Sequence, residues 1–293
     1  MTADDGGDQT VKIARVGVVG CGQMGAGIAE VCARSGLDVR VAESAPELLD
    51  AGRTRLAASL DRAVGRGKLD RTDRDAAAAR VSYTTELDDL ADCDLVIEAV
   101  VEDEGVKTDI FAALDKVLGP AAILVSNTSS IPLVTLAVAT GRPDRVVGIH
   151  FFNPAPVQQL VEIIPALTTS PDTIRSADRF ARMLGKHPIR AQDRAGFVVN
   201  ALLVPYLLAA IRMVEAGTAS RDDIDSGMVL GCAHPMGPLK LCDLIGLDTI
   251  AAVAASMYEE FKEPLYAAPP LLRRMVAAGK FGRKAAAGFY VYT

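Results

Sequence analysis

The chain has 293 residues, half of them apolar and 23% charged, so it can bury a sizeable core and is long enough for two ordinary domains, which excludes a disordered polymer. Its net charge of −6 speaks against a sequence-independent grip on phosphate backbones, which needs clustered positive charge, so nucleic acid is not an expected partner. The acidic start Met1-Thr2-Ala3-Asp4-Asp5 is unlike a secretory signal, the five cysteines form no CxxC pair, and the three histidines show no HxxxH spacing; a reducing cytoplasm and no bound metal are expected.

After a polar lead, Ala14 to Val19 is a β-branched run ending in glycine and reads as a buried strand. Met24 to Ser35 reads as a helix with Gly36 as its stop, and Asp38 to Ala42 as a second strand closed by Glu43. Pro46 to Lys68 is a long candidate helix with proline in its first turn, where the missing N–H costs nothing. Further strands are expected at Asp94 to Glu98, Ile123 to Ser126, Val146 to His150 and Leu160 to Ile164, with helices at Val106 to Leu118 and Asp172 to Leu184. Strands separated by helix-length segments predict an α/β fold, a Rossmann-type doubly wound and mostly parallel sheet covered on both faces, with right-handed crossovers. The pattern changes at the polar stretch Ala191 to Gly196, beyond which helical signal runs to about Ala278 in three main pieces: Val198 to Val214, Asp222 to Leu230 and Pro238 to Phe261. Two domains are therefore expected, 1–191 holding the sheet and 192–293 all helical. Val198 to Val214, the most apolar stretch, contains Asn200, Pro205 and Arg212 and is shorter than the roughly 20 apolar residues that span a bilayer, so it reads as a core helix and no membrane contact is expected.

Gly20-Cys21-Gly22-Gln23-Met24-Gly25 matches GxGxxG directly after a strand and directly before a helix. The first glycine permits the turn, the second lets a pyrophosphate reach the backbone, and the third lets helix and strand pack closely, while the free N–H groups of the helix start face the phosphates. Alone, the motif also fits an ordinary glycine-rich turn. Glu43, 23 residues past Gly20 and at the end of the second strand, tips the reading towards a dinucleotide site, because it can accept hydrogen bonds from the adenosine ribose. A carboxylate there repels a 2′-phosphate and favours NAD; the nearby Arg40 leaves NADP open.

Val146-Val147-Gly148-Ile149-His150 ends in a histidine at the carboxyl end of a strand, the edge where open α/β sheets place ligands. The alternative is a histidine that serves structure alone. Glu162 weighs against it, since it interrupts the apolar run Leu160 to Ile164 and a buried carboxylate needs a partner. The segment 151–157 is too short for a helical crossover, so the two strands are expected to run antiparallel and the two side chains can meet. Such a carboxylate fixes the imidazole tautomer and favours its charged form, leaving the other ring nitrogen to take a proton, as alcohol oxidation by NAD requires.

These motifs, with Glu98-Ala99-Val100-Val101-Glu102, Ser126-Asn127-Thr128-Ser129-Ser130, Gly148 to Pro154 and Gly196-Phe197-Val198-Val199-Asn200, together resemble the 3-hydroxyacyl-CoA dehydrogenases, nearest to their stand-alone 3-hydroxybutyryl-CoA branch, over about Arg15 to Tyr292. The resemblance implies NAD-dependent interconversion of an (S)-3-hydroxyacyl-CoA and a 3-ketoacyl-CoA, with the substrate between the two domains and a homodimer formed through the helical one. It implies His150 as general acid and base, Glu162 as its partner, Ser129 and Asn200 at the reacting part of the substrate, and Asn153 as a residue ordering the cofactor site. It also places Glu102, Lys107 and Asn127 along the nicotinamide half, beside Gly20, Gly22, Gln23, Met24, Gly25 and Glu43. For Ser129 and Asn127 the alternative is a helix cap before Pro132. Arg55, Ser59, Arg62 and Arg66 share one face of the long helix, with Lys68 at its end, and the resemblance puts coenzyme A contacts at Ser59 and Arg66; a solvated basic face is the alternative. The run Gly282 to Tyr290 departs from the family pattern, with alanines where further glycine is usual. Two rivals stay open: a dehydrogenase of free 3-hydroxy or sugar acids, resembling the gulonate dehydrogenase and lambda-crystallin branch, and a protein that binds NAD without turnover.

Overall fold

A computed structural model of the chain describes residues 12–292, which divide into two compact units, one ending at Asp193 and the other beginning at Arg194. In the first, β1 (Arg15–Val19), β2 (Asp38–Ala42), β3 (Val81–Thr84), β4 (Leu95–Glu98), β5 (Ile123–Ser126), β6 (Val146–Phe151), β7 (Leu160–Pro165) and β8 (His187–Arg190) form one sheet in the order β3-β2-β1-β4-β5-β6-β7-β8. The strands from β3 to β6 are mutually parallel; β7 pairs antiparallel with β6, and β8 runs parallel to β7. The six residues of β6 and the four each of β4 and β5 are all buried, as expected of strands covered on both faces.

The helices are α1 (Gln23–Arg34), α2 (Pro46–Gly65), α3 (Arg71–Ala79), α4 (Glu104–Val117), α5 (Leu133–Val138) and α6 (Pro171–Met183). Buried side chains of α1 and α2, such as Ile28, Val31, Leu56 and Leu60, pack with Val16, Val18, Val39 and Val41 in the core. Each of these larger aliphatic groups contributes about 1.5–3 kcal/mol by leaving water. Several boundaries depart from the sequence reading for local reasons. Helix α4 starts two residues before Val106 because the Asp103 carboxylate accepts the Val106 N–H at 2.9 Å. Helix α2 stops at Gly65, and Lys68 lies in the turn beyond it, where Gly67 has φ +64°. The sequence reading omitted α3, β3 and β8, and of α5 it gave only a start at Pro132; the alanine patch Ala76 to Ala79 is the end of α3, whose Asp70 cap accepts the Asp73 N–H at 2.7 Å.

The second unit is helical: α7 (Val199–Glu215), α8 (Arg221–Cys232), α9 (Pro238–Ile245), α10 (Leu247–Phe261) and α11 (Pro270–Ala277). The expected helix Pro238 to Phe261 is two helices, because Gly246 takes φ +106°, outside helical space, and turns the chain between them. Leu207, Leu208, Ile211, Leu239, Cys242, Leu247, Ile250, Ala254, Met257 and Leu272 form this unit's own core. Its C-terminal segment closes onto two buried carboxylates: Asp243 accepts from the backbone N–H of Phe289 and Tyr290 and from the Tyr292 hydroxyl, and Asp225 accepts from Leu239 N–H and the Tyr290 hydroxyl. A Cβ on Gly288 would sit 2.0 Å from Asp243 Oδ1, so that glycine is obligatory, whereas Ala286 holds a left-handed φ of +54°. Among the described residues, no single helix is long and apolar enough to cross a membrane.

Candidate active site

The carboxyl ends of β1, β2, β4, β5 and β6 share one edge of the sheet, and most of the candidate residues stand along it. At β1, Gly20 turns with φ +92° and its N–H donates to Ala42 O at 2.9 Å, tying the loop to the end of β2. A Cβ on Gly25 would lie 1.9 Å from Gly20 O, which is the close helix–strand approach the third glycine permits. A Cβ on Gly22 would meet nothing within 4 Å, and α1 starts there without a side-chain cap and without an acidic residue in its first turn. The turn therefore leaves open space for a dinucleotide's pyrophosphate, facing α1 N–H groups that no side-chain cap and no acid of that helix's own first turn covers. Cys21 agrees with this, since burial first and Glu43 second push its thiol up to about 11, and it stays neutral. Met24 is half buried against the core, and Gln23 is exposed.

Glu43 follows β2 and is held to the loop: its Oε1 accepts the Cys21 N–H at 2.5 Å. Arg40 is engaged elsewhere, donating to Asp89 O and to Asp92 Oδ1 (3.1 Å) in the turn before β4. The cation that kept NADP open is thus committed to two acceptors on that turn.

Across the sheet, β6 and β7 are in a register that sets His150 opposite Glu162, and His150 Nδ1 lies 2.7 Å from Glu162 Oε2. The histidine is 7% exposed and the glutamate fully buried; the Phe152 ring contacts the imidazole edge-on, with centroids 4.7 Å apart. Asn153, in the connection that follows β6, accepts from Gln23 Nε2 at 3.1 Å, linking it to the start of α1. Asn127, after β5, accepts the Phe151 N–H at 2.9 Å and so braces the chain just past His150.

Ser129 is neither a helix cap nor a lone hydroxyl. Its N–H donates to Glu102 Oε1 at 2.8 Å, and the same oxygen takes Thr128 Oγ1 (2.5 Å) and Ser130 Oγ (3.0 Å). The cap of α5 is Asp193, whose carboxylate accepts the N–H groups of Leu133 and Val134. Burial alone would raise the Glu102 carboxyl, but Lys107 and the hydrogen bonds from Thr128 and Ser129 outweigh it and hold the carboxyl below its ordinary value. Lys107, expected along the cofactor, is only 1% exposed; its Nζ lies 2.7 Å from Glu98 Oε1 and 3.1 Å from Glu102 Oε2. Glu98 is a residue that sequence reasoning passed over. The signal was there, because Glu98 ends the apolar run Leu95 to Glu98 just as Glu162 interrupts its own.

The remaining expected residues are carried by α2 with its C-terminal end and by α7. Ser59 is half buried on α2, Arg62 and Arg66 are exposed near that helix's end, and Arg55 donates to Cys21 O at 3.3 Å. Asn200 lies in the first turn of α7, in the second unit. Among the described residues, no group of three or more His, Cys, Asp or Glu side chains is placed to hold a metal ion.

Residues 15–194 match the profile of the 3-hydroxyacyl-CoA dehydrogenase NAD binding domain, and residues 196–292 that of the 3-hydroxyacyl-CoA dehydrogenase C-terminal domain. A 3-hydroxybutyryl-CoA dehydrogenase of Mycobacterium tuberculosis is 57% identical over 96% of this chain and 99% of its own length. The human mitochondrial hydroxyacyl-coenzyme A dehydrogenase is 42% identical over 96% of this chain and 92% of its own. Among solved structures, FadB2 of M. tuberculosis superposes with a TM-score of 0.95 over 96% of this chain and 99% of that one, at 57% identity. The (S)-3-hydroxybutyryl-CoA dehydrogenase PaaH1 of Ralstonia eutropha gives 0.91 at 45% identity, over 96% and 100%. A dinucleotide loop, a histidine–glutamate pair on neighbouring strands and both family domains in sequence thus coincide in one chain, which belongs to the 3-hydroxyacyl-CoA dehydrogenase family.

Proposed function

We propose that this protein interconverts (S)-3-hydroxybutyryl-CoA and acetoacetyl-CoA with NAD, and that His150 and Glu162 carry the proton chemistry. The observation that carries this reading is the 2.7 Å contact between His150 Nδ1 and Glu162 Oε2, buried at β6 of the sheet whose β1 leads into the glycine loop. Bound NAD supplies the hydride acceptor. With Nδ1 engaged by Glu162, the ring exchanges its proton through Nε2, taking it from the C3 hydroxyl as C3 gives up its hydride; in the reverse direction Nε2 returns that proton to the carbonyl oxygen. Glu162 holds the tautomer and balances the positive charge that the ring acquires. Ser129 orients the reacting carbonyl, and Glu43 accepts from the adenosine ribose. Asn153 orders the cofactor site through Gln23, and Asn127 through the backbone next to His150. Asn200 enters the reading by family resemblance, as do Ser59 and Arg66 for the phosphates of coenzyme A.

Homodimerisation through the helical unit and a cytoplasmic location complete the proposal; light scattering on the purified protein and cell fractionation test them. The reaction is tested by following NADH absorbance with acetoacetyl-CoA, with NADPH and free acetoacetate in parallel. Turnover with NADH and the thioester alone is expected. Equal turnover of free acetoacetate would move the assignment to the free-acid dehydrogenases, and no turnover in folded, NADH-binding protein would leave a binding protein.

A further inference from the structure

We infer that Glu98 is a positioning residue for the reaction, holding the Ser129 loop in place through Lys107 and Ser126; this rests on the functional reading above. Glu98 ends β4, is fully buried, and its carboxylate accepts three donors: Val100 N–H at 2.8 Å, Lys107 Nζ at 2.7 Å and Ser126 Oγ at 2.7 Å. Two routes lead from it to the same loop. Along one, Lys107 Nζ also grips Glu102, and Glu102 Oε1 gathers the backbone and hydroxyl donors of Thr128, Ser129 and Ser130. Along the other, Ser126 Oγ accepts the Thr128 N–H at 3.2 Å.

A buried carboxylate and ammonium are costly to desolvate and persist where each is fully hydrogen-bonded. Here the arrangement fixes how Lys107 divides its attraction between two glutamates. Without the Glu98 charge, Lys107 swings fully to Glu102, and the segment that hangs from Glu102 follows. Ser129 then loses its aim, and a misplacement on the order of 1 Å costs up to about 100-fold in rate.

Glu98→Gln keeps the shape and one acceptor but removes the charge. The expected result is a kcat reduced roughly 10- to 100-fold, with the Kd for NADH within about twofold of wild type and a larger deuterium isotope effect on kcat from hydride-labelled NADH. A purely structural role would lower the folded or active fraction and leave the isotope effect per active site unmoved. Because the residue is argued to act through the Ser129 loop, its effect should largely disappear in a Ser129→Ala background. Losses that multiply in the double variant, or a wild-type kcat and isotope effect in Glu98→Gln, would overturn the proposal while leaving the functional reading intact. Wild-type kinetics in Ser129→Ala alone would overturn the proposal together with the orienting role given to Ser129, while the dehydrogenase reading itself fails only if the wild-type protein does not turn over the thioester. If Glu98→Gln does not fold, Ser126→Ala, which cuts the second route with little change of volume, decides by the same criteria with a smaller expected loss.

Discussion

His150 and Glu162 meet because a short connection forces β7 to run back along β6, and the pairing register then sets the carboxylate opposite the imidazole. Removing the ring in His150→Ala should lower kcat by roughly 10²- to 10⁴-fold while NADH still binds, as measured by steady-state rates and NADH fluorescence titration. Glu102 gives a pH-dependent prediction. Its folded-state carboxyl sits below the ordinary value of 4.5, so the unfolded chain takes up this proton first as pH falls. The stability that Glu102 contributes is therefore complete above 4.5 and is lost as pH drops through the lowered value. Urea unfolding of wild type and Glu102→Gln should show a difference near neutrality that shrinks as the pH is taken below 4.5. The pairing of His150 with Glu162 was legible because both interrupt apolar runs. Lys107 was not read as buried, since a lysine on a helix gives no sign in sequence that Glu98 waits beneath it.

At the scale of elements, the glycine loop separates folding from binding. Gly25→Ala drives a methyl into the Gly20 carbonyl and should destabilise the protein outright, whereas Gly22→Ala has room in the protein and should keep the wild-type Tm while weakening NADH binding. Calorimetry with NADH titration distinguishes the two. In the C-terminal turn, Ala286 pays for its left-handed φ of +54°, and Ala286→Gly should raise stability by up to about 1 kcal/mol in urea unfolding. The long periodic helices and the buried apolar strands were readable from their patterns. The elements that were missed or read only in part are those whose pattern is weakest: β3 and β8 lie at the two ends of the sheet, with β8 carrying Pro188, and α5, legible only at its start before Leu133, has six residues and a cap supplied by Asp193, far along the chain. A cap from a distant residue leaves no local signature.

For the molecule as a whole, each unit has its own core, and the dinucleotide loop belongs to the first. A ligand present at about 100 times its Kd adds about 2.7 kcal/mol to the stability of what binds it. Hydrogen exchange with saturating NADH should therefore slow most in peptides covering β1, β2 and β4 and least in those covering α10. The chain has no tryptophan, so exchange read peptide by peptide reports on the units separately where bulk fluorescence would not.

The hydrogen bond from the Cys21 N–H to Glu43 bears on how cofactor preference can evolve in this chain. On the proposed reading, the acid that repels a 2′-phosphate also props up the loop that grips the pyrophosphate, so discrimination and affinity are inherited together. Replacing Glu43 by a neutral residue removes the repulsion and the prop in one step, leaving a weaker NAD enzyme and not an NADP enzyme. A lineage moving between the two cofactors must first acquire another support for the Cys21 amide, and only then give up the carboxylate.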